Sequence, residues 1–298
     1  MSDQTVTLTA ALGKHPVAQI LRSREVSDPM VRLDFADVDP IHRAFAPMVR
    51  EQSFDVCELA IVTALQAVAY GHPIALLPVV VAGRFQRGCL VGRAEDRIED
   101  PTELRGRRIG VRSYTQTTGF WIRTHLHEDY GLRAEDMAWL TQNPAHVPEY
   151  EDPDFVSRTL SGSLVDALRD GAIDAAIFGN DLPAGDEFVP LISQARQRDR
   201  RWYDEHGYVP VNHLVAVSLP TLQAHPETVG RVWEMLTRAE YLAAERATDI
   251  PVTAAGLSRL AGPIDAIAAQ CHAQGMLPRP LTSAEVFAPL DRIPAPRA

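Results

Sequence analysis

The sequence predicts an α/β protein in which strands and helices alternate and the strands form open parallel sheets. In residues 162–179 a helical stretch ends at Gly171 and a buried apolar strand follows. Residues 54–71 show the reciprocal order, a short strand and then a helix. Residues 103–131 contain a strand, a polar loop and an amphipathic helix that ends at Gly131. Ligands of such sheets bind beyond the carboxyl ends of the strands, so the loops there are the candidate site.

The remaining elements follow from where apolar runs and helix stops fall along the chain. The first part is expected to contain strands at 6–12, 31–35, 54–57 and 74–82, with helices after Pro16, at 41–51 and up to Gly71. An arginine-bearing segment, 83–88, comes next. The second part is expected to contain strands at 109–111 and 173–178, helices ending at Gly131 and Gly171, and a solvated helix face at 196–201. The strand 209–218 then returns the chain to the first part, on which helices at 226–247 and 258–274 are expected to pack.

Composition limits the classes of partner. The chain of 298 residues, 46% of them hydrophobic, is long enough for two domains with separate cores. Its net charge of −10 argues against a nucleic-acid partner, whereas a small anion can still bind where positive groups are focused in a cleft. No apolar run approaches the roughly 20 residues of a membrane span.

Cysteine usage and the N-terminal sequence favour a reducing compartment. The three cysteines are far apart, without the CxxC spacing of a disulfide framework or a structural zinc site. The first 21 residues show no basic start, no long apolar run and no lipobox cysteine. We therefore expect a cytoplasmic protein, and self-association into a homo-oligomer is left open.

Hydroxyl and amide groups are concentrated before the helix that ends at Gly131. A helix N-terminus carries unpaired N–H groups and a partial positive charge, so such residues either cap the helix or help to bind an anion. Both interpretations stay open, and the binding interpretation makes substrate contacts of Ser113, Tyr114, Thr115, Thr117 and Thr118.

Basic residues give a sharper constraint on chemistry. Lys14 is the only lysine, so Schiff-base and pyridoxal-phosphate chemistry are excluded unless Lys14 serves. It lies with His15 in the loop after the first strand, where either ligand contact or a solvated surface position is possible. Arg84, Arg87 and Arg112 flank the expected ligand site, and a guanidinium group suits a carboxylate.

Two residues are candidates for proton transfer. His213, next to Asn212, interrupts the apolar strand 209–218 where the chain is expected to return to the first domain. Such a polar pair is either hydrogen-bonded core or the lining of the ligand site, and the second interpretation makes Asn212 a substrate contact. Glu58 is expected at the end of the strand 54–57, where it could orient a histidine or accept a phenol proton, or simply cap a helix.

Six segments in order resemble the 4,5-dihydroxyphthalate decarboxylase family. They are FDVCELA, ALLPVVVAGRFQRG, ELRGRRIGVRSYTQTTGFWIRTHLHEDYGL, GSLVDALRDGAIDAAI, HGYVPVNHLVAV and LTSAEVFAPL, and together they span about residues 10–290. The resemblance implies a type 2 periplasmic-binding-protein-like fold with a ligand cleft between two lobes. We expect lobe 1 to comprise residues 1–90 and 212–298, and lobe 2 to comprise residues 91–211.

The chain departs from the family pattern where substrate would be recognised. A Pro-Glu pair usual in the family is replaced by Arg112 and Ser113, and a common Arg-His pair corresponds to Gln86 and Arg87. Loss of an acid and gain of arginine suggest a different or more acidic ligand. A histidine at the position of His213 is shared with the family.

The resemblance implies a carbon–carbon lyase that decarboxylates a hydroxylated aromatic dicarboxylate. His213 would protonate the ring carbon, the arginines and the start of the helix after Ser113 would anchor a carboxylate, and Glu58 would accept a phenol proton. No organic cofactor is expected, and a divalent metal is left open because His15, Glu58 and His213 could converge. Two alternatives remain: a non-catalytic cytoplasmic solute-binding protein for a small anion, and a relative of the menaquinone-pathway enzymes on the same fold.

Overall fold

A computed structural model describes residues 5–96, 98–179 and 181–293 of the chain, and strands and helices alternate along these ranges. The strands, numbered along the chain, are β1 (Val6–Ala11), β2 (Val31–Phe35), β3 (Val56–Ala60), β4 (Ile74–Gly83), β5 (Leu90–Arg93), β6 (Arg108–Val111), β7 (Ala138–Thr141), β8 (Val156–Ser157), β9 (Ala175–Ile177), β10 (Phe188–Pro190), β11 (Val211–Ser218) and β12 (Ala254–Ala255). The α-helices are α1 (Pro16–Arg22), α2 (Phe45–Glu51), α3 (Ile61–Ala69), α4 (Thr117–Tyr130), α5 (Leu164–Arg169), α6 (Ala195–His206), α7 (Leu219–Ala224), α8 (Pro226–Glu245), α9 (Leu257–Ala273) and α10 (Ser283–Phe287).

The chain divides into two compact units. Unit 1 holds the described residues up to Arg84, Val211–His272 and those from Leu277 onward, and unit 2 holds Phe85–Pro210 with Ala273–Met276. The segment Ala273–Met276, at the end of α9, is connected to unit 2 by hydrogen bonds. The Tyr114 hydroxyl donates to the backbone carbonyl of Gln274 at 3.0 Å.

Unit 1 is built on a six-stranded sheet in the order β12-β4-β11-β3-β1-β2. β1 pairs in parallel with β2 and β3, as the alternation of elements predicts. β11 lies between β3 and β4 and runs antiparallel to both, so the expectation of a purely parallel sheet is wrong at this strand. As a result the first residues of β11 lie beside the last residues of β3 and β4. The return strand therefore brings His213 to the sheet edge where β3 and β4 end.

Unit 2 is built on a second six-stranded sheet, in the order β10-β5-β9-β6-β7-β8. β6 pairs in parallel with β7 and β9, whereas β5 is antiparallel to β9 and β10. α5 packs on this sheet, and its Leu164 and Leu168 are buried against strand residues. The carboxyl ends of β9, β6 and β7 meet at one edge, so the segment after Val111 is placed where ligands of parallel sheets bind.

Glycine ends two helices where the sequence predicts it. Gly131 follows α4 with φ 66°, and Gly171 follows α5 with φ 71°. This left-handed conformation is sterically unfavourable for residues that have a Cβ atom, whereas glycine adopts it without that penalty. Both predicted helix ends are confirmed.

The third strand differs from its prediction. The expectation of a strand at 54–57, with Glu58 at its end, is wrong: β3 spans Val56–Ala60, and every residue in it is buried. The N-cap of α3 is Ala60, so Glu58 does not cap that helix. Glu58 continues the strand because hydrogen-bond donors from elsewhere in the chain compensate the burial of its carboxylate.

Cys57, Cys89 and Cys271 are free thiols with buried side chains. Burial raises the pKa of the Cys57 thiol well above its usual value, and the neighbouring charge of Glu58 adds to the effect. Within the described ranges, no helix is long and apolar enough to pass through a membrane.

Candidate functional site

A buried carboxylate is the centre of the candidate site in unit 1. Glu58 is only 1% exposed, and three donors surround it. His15 Nε2 lies 2.8 Å from Glu58 Oε2, and His213 Nδ1 lies 2.8 Å from Glu58 Oε1. The backbone N–H of Gly13 donates to Glu58 Oε2 at 2.5 Å. We call Gly13, His15, Glu58 and His213 the carboxylate cluster.

The strand register explains why these residues meet. His213 in β11 is directly opposite Ala60, and Val215 is opposite Glu58. Side chains alternate along a strand, so Glu58 and Ala60 share a face, and His213 is a diagonal neighbour of Glu58 on that face. On the other side, Ala11 in β1 pairs with Cys57, which places the loop after β1 beside the Glu58 side chain.

Gly13 must be small where it approaches Glu58. A Cβ built on Gly13 would lie 3.3 Å from both Glu58 carboxylate oxygens and 3.4 Å from Ile41 Cγ2. The two distances to the carboxylate oxygens are tighter than ordinary van der Waals contact, so a larger residue would require the Glu58 carboxylate to shift by a few tenths of an ångström. Sequence reasoning did not single out Gly13, although a glycine directly after a strand is a known sign of close backbone approach.

The hydrogen bonds keep Glu58 ionised. Burial by itself raises the pKa of the Glu58 carboxyl, because a charge is poorly solvated in the protein interior. The hydrogen bonds from His15 and His213 act in the opposite direction and outweigh burial. The pKa of Glu58 therefore lies well below its usual range.

His213 is the member of the cluster that is most open to a ligand. Its side chain is 22% exposed, compared with 12% for His15 and 1% for Glu58. Nδ1 is bonded to Glu58, and Nε2 has no hydrogen-bond partner among the residues that the structure describes. Phe45 contacts the ring edge-on, with centroids 5.2 Å apart. The imidazole is thus held at one nitrogen and free at the other.

The other candidates in unit 1 occupy the same edge of the sheet. Lys14 follows Gly13, but its Nζ donates to Asp39 Oδ2 at 2.6 Å and the side chain is 80% exposed. Arg84 directly follows β4 and Asn212 precedes His213, and both are half-buried.

Unit 2 carries a second group of polar residues at the start of α4. The N-cap of α4 is Gln116, and its side chain makes no capping hydrogen bond, so capping of α4 does not explain the hydroxyl-rich run. The guanidinium of Arg112 has no hydrogen bond or ion pair to any residue in the described part of the chain. A Cβ built on Gly179, next to the end of β9, would lie 3.5 Å from Arg112 Nη2 and 3.9 Å from Gln116 Nε2. These residues therefore converge at the sheet edge of unit 2.

Buried oxygen atoms without partners accompany this group. Gln116 Oε1, Thr117 Oγ1 and Thr141 Oγ1 are buried and lack a hydrogen-bond partner in the part of the chain that the structure describes. Unsatisfied buried polar atoms are uncommon and are often found at functional sites. We call Arg112, Gln116, Thr117 and Thr141 the α4 start group.

The hydroxyl-bearing residues around the α4 start group differ in their surroundings. Ser113 Oγ and Thr115 Oγ1 are 3.1 Å apart, so these two hydroxyls bond to each other. Thr115, Thr117 and Thr118 are buried. Tyr114 is fully buried: its ring contacts the Arg123 guanidinium at 4.0 Å, and its hydroxyl bonds to Gln274. The structure thus places Tyr114 in the core of unit 2.

Arg87 requires a correction. The sequence suggested a ligand contact, but Arg87 is 1% exposed and each of its three guanidinium nitrogens donates to a carboxylate. Nε lies 2.9 Å from Asp129 Oδ2 in α4, and Nη1 lies 2.8 Å from Asp199 Oδ1 in α6. Two carboxylates account for this arginine, so it joins two helices of unit 2 and offers no donor to a ligand.

The carboxylate cluster does not resemble a metal site. His15 Nε2 and His213 Nδ1 both face the Glu58 oxygens, and His15 Nδ1 accepts the backbone N–H of Ala18 at 3.2 Å. Among the described residues, no group of three or more His, Cys, Asp or Glu side chains is arranged to hold a metal ion.

The chain was compared with known proteins. No family model matches it. It is 25% identical over 324 residues to the 4,5-dihydroxyphthalate decarboxylase of Comamonas testosteroni, covering 95% of this chain and 96% of that protein. It is 30% identical over 193 residues to the 4,5-dihydroxyphthalate decarboxylase of Pseudomonas putida, covering 58% of this chain and 70% of that protein.

Among solved structures, the alkanesulfonate-binding protein SsuA from Xanthomonas axonopodis pv. citri is similar in fold. The TM-score is 0.58 and the identity 14%, over 95% of this chain and 98% of that one. This similarity confirms the expected periplasmic-binding-protein-like fold.

Proposed function

Because the chain belongs to the 4,5-dihydroxyphthalate decarboxylase family and is therefore a decarboxylase, a carbon–carbon lyase, we propose that its substrate is a hydroxylated aromatic dicarboxylate similar to 4,5-dihydroxyphthalate. The observation that carries the proposal is the pairing of His213 with an ionised, buried Glu58. A carboxylate on one imidazole nitrogen stabilises the protonated ring, so that the other nitrogen can act as an acid.

The proposed reaction begins with proton transfer from His213 Nε2 to the ring carbon that carries the leaving carboxylate. The new C–H bond takes its electron pair from the ring, and a hydroxyl para to that carbon supplies electron density. The bond between the ring carbon and the carboxylate then breaks, its electron pair restores the aromatic ring, and CO2 leaves. His213 is left neutral and regains a proton from water. These steps need no organic cofactor.

Of the roles that the sequence left open for Glu58, we propose that it orients a histidine and does not accept a phenol proton. All of its hydrogen-bonding neighbours in the carboxylate cluster are donors, and its pKa lies well below the usual range. A carboxylate in this state is a poor acceptor for a phenol proton. We propose that Glu58 holds His213 in place and stabilises its protonated form.

The α4 start group is proposed to bind carboxylate groups of the ligand. A guanidinium with which no described residue pairs and a helix N-terminus are both suited to an anion, and a dicarboxylate carries two negative charges. The departures from the family pattern at Arg112 and Ser113 fall in this segment. For that reason we extend the substrate class beyond 4,5-dihydroxyphthalate itself to related aromatic dianions.

The test is incubation of the wild-type protein and two His213 variants with 4,5-dihydroxyphthalate and its mono-hydroxylated analogues, while CO2 release is followed. His213→Asn keeps an N–H group where Nδ1 contacts Glu58 and removes Nε2. We expect it to lower turnover about 100- to 10,000-fold, the usual contribution of a general acid. His213→Gln places a group near the Nε2 position that cannot transfer a proton, and it should be equally inactive.

Two results would contradict the proposal. Turnover retained by His213→Asn would remove Nε2 from the reaction. Tight binding of the dicarboxylates without CO2 release by the wild-type protein would favour a solute-binding role instead.

A further inference from the structure

We infer that His15 is a positioning residue, which holds Glu58 as an oriented anion and leaves proton transfer to His213. The inference deepens the proposed function and rests on it for the kinetic part of its test. The sequence suggested only that His15 contacts substrate. The geometry points to a different role, because both ring nitrogens of His15 are occupied within unit 1.

The first step concerns which nitrogen of His15 carries the proton. The residue is the N-cap of α1, and its Nδ1 accepts the backbone N–H of Ala18 at 3.2 Å. A nitrogen that accepts a backbone N–H cannot carry a proton of its own in that hydrogen bond. The proton of neutral His15 is therefore on Nε2, which faces Glu58 Oε2 at 2.8 Å. A backbone group, which cannot change its role as donor, fixes this tautomer.

The second step follows the hydrogen bonds through the cluster. The N–H of Ala18 donates to His15, and His15 and Gly13 both donate to Glu58 Oε2. Oxygen Oε1 is then left for His213, whose Nδ1 must donate because Glu58 is an acceptor. Glu58 is therefore the acceptor in all three of its hydrogen bonds, and the bond from Ala18 to His15 is directed towards it as well. The one ring nitrogen that can gain or lose a proton without breaking a bond is His213 Nε2.

The choice of a histidine at this N-cap supports the dual role. Ser, Thr, Asp and Asn are the usual N-cap residues, since a single acceptor atom is enough for capping. A neutral imidazole has an acceptor nitrogen and a donor nitrogen. In His15 the acceptor Nδ1 caps α1 and the donor Nε2 bonds to Glu58. A carboxylate N-cap would instead place a second negative charge next to Glu58.

Two variants separate the functions of the ring. His15→Asn can accept the N–H of Ala18 with its side-chain oxygen but is too short to reach Glu58. His15→Gln can place an N–H group near the position of Nε2, and so it retains the donor to Glu58. If His15 positions Glu58, His15→Gln should retain most of the wild-type kcat. His15→Asn should lose kcat about 10- to 100-fold, the cost expected for a lost hydrogen bond to a charged group. KM should change little in either variant.

The opposite results would overturn the inference. Full kcat in His15→Asn with a loss in His15→Gln would mean that only capping of α1 matters. An increase in KM at unchanged kcat in both variants would make His15 a substrate contact. Loss of kcat in both would assign the ring a role that a side-chain amide cannot fill, such as proton transfer.

A spectroscopic measurement decides the same question without activity. In full-length protein labelled with ¹⁵N-histidine, assigned by single substitutions, the wild type should show His15 protonated only at Nε2 and, in the neutral form of its ring, His213 protonated at Nδ1. In His15→Asn, the single Nδ1-protonated form of His213 should give way to a mixture of tautomers. A protonated His15 Nδ1 in the wild type would overturn the inference. If no hydroxylated phthalate is turned over, the proposed substrate is wrong, and these spectra still decide whether His15 holds Glu58.

Discussion

Glu58 carries a negative charge in a place that water scarcely reaches, and its neighbours show how this is possible. An isolated buried carboxylate would take up a proton, because the neutral form is less costly to bury. Two imidazole N–H groups and one backbone N–H compensate the charge instead. The donors come from the loop after β1 and from β11, so their hydrogen bonds to Glu58 connect both of these segments to β3.

We expect the stability contributed by Glu58 to depend on pH. The folded-state pKa of Glu58 is lowered, so its contribution is complete above the unfolded pKa of about 4.3 and is lost as the pH falls towards the folded value. Glu58→Gln should therefore lower the free energy of unfolding of unit 1 by about 3 kcal/mol at neutral pH. The difference from the wild type should shrink once the pH falls below about 4. Urea unfolding over this pH range measures it.

An exposed glutamate provides the control for this measurement. Glu51, at the end of α2, is exposed, and Glu51→Gln should leave the free energy of unfolding within about 0.5 kcal/mol of the wild type. A loss in Glu58→Gln that is constant at every pH would show that packing, and not charge, is responsible.

At the scale of elements, two arginines that the sequence placed beside the expected ligand site have different surroundings. Arg87 joins α4 to α6 through Asp129 and Asp199. Burial tends to lower the pKa of Arg87, but the hydrogen bonds to both carboxylates outweigh it and the pKa is raised. Arg112 follows β6, and no described residue pairs with its guanidinium. Partners at distant positions, which the sequence does not reveal, decide between these roles.

The alanine variants of these two arginines serve as controls for each other, because one should lower stability and the other should lower ligand affinity. Arg87→Ala leaves two carboxylates near each other without a cation, so we expect it to lower the free energy of unfolding by about 3–5 kcal/mol. Arg112→Ala should leave stability within about 0.5 kcal/mol and weaken the binding of phthalate-like dicarboxylates about 10- to 150-fold. Denaturant unfolding and calorimetric titration measure the two effects. Unchanged affinity in Arg112→Ala would make Arg112 a surface charge.

The elements were predicted well where the cause is local. Gly131 and Gly171 ended helices as expected, because the left-handed conformation that they adopt is a property of glycine itself. The direction of β11 was not predictable, since most of this strand is buried on both faces and it therefore shows the continuous apolar run that is typical of parallel strands. The continuation of β3 through Glu58 was missed because its partners, His15 and His213, are 43 and 155 residues away.

At the scale of the whole molecule, the chain forms two sheets, each with its own buried apolar residues. In unit 2 the side chains of α5 pack on β9 and its neighbours, and Leu168 is fully buried. Alternation of strands, helices and glycine stops was sufficient to predict this α/β class. The candidate site was predicted less completely, because Gly13 contributes through its backbone and Arg87 is neutralised by residues that only the fold brings near.

We expect a cavity created by truncating a buried side chain of unit 2 to destabilise that unit and not unit 1. Leu168→Ala should cost about 2–5 kcal/mol, the usual result of truncating a buried leucine. Because opening of a structure follows its cooperative units, amide hydrogen exchange should accelerate in β5, β6 and β9 and remain slow in β1, β3 and β11. Val165→Ala on the same helix, a partly buried position, provides a milder control. Equal acceleration in both sheets would show that the two units unfold as one.

The position of Lys14 has a practical consequence for chemical labelling. Lys14 is the only lysine in the chain, and its side chain is largely exposed in the loop that carries Gly13 and His15. An amine-selective dye therefore has one side-chain target, directly beside the carboxylate cluster. The hydrogen bond to Asp39 raises the pKa of Lys14, so the coupling reaction should be run under alkaline conditions. The wild-type protein could thus carry a fluorescent reporter of ligand arrival without an engineered attachment point.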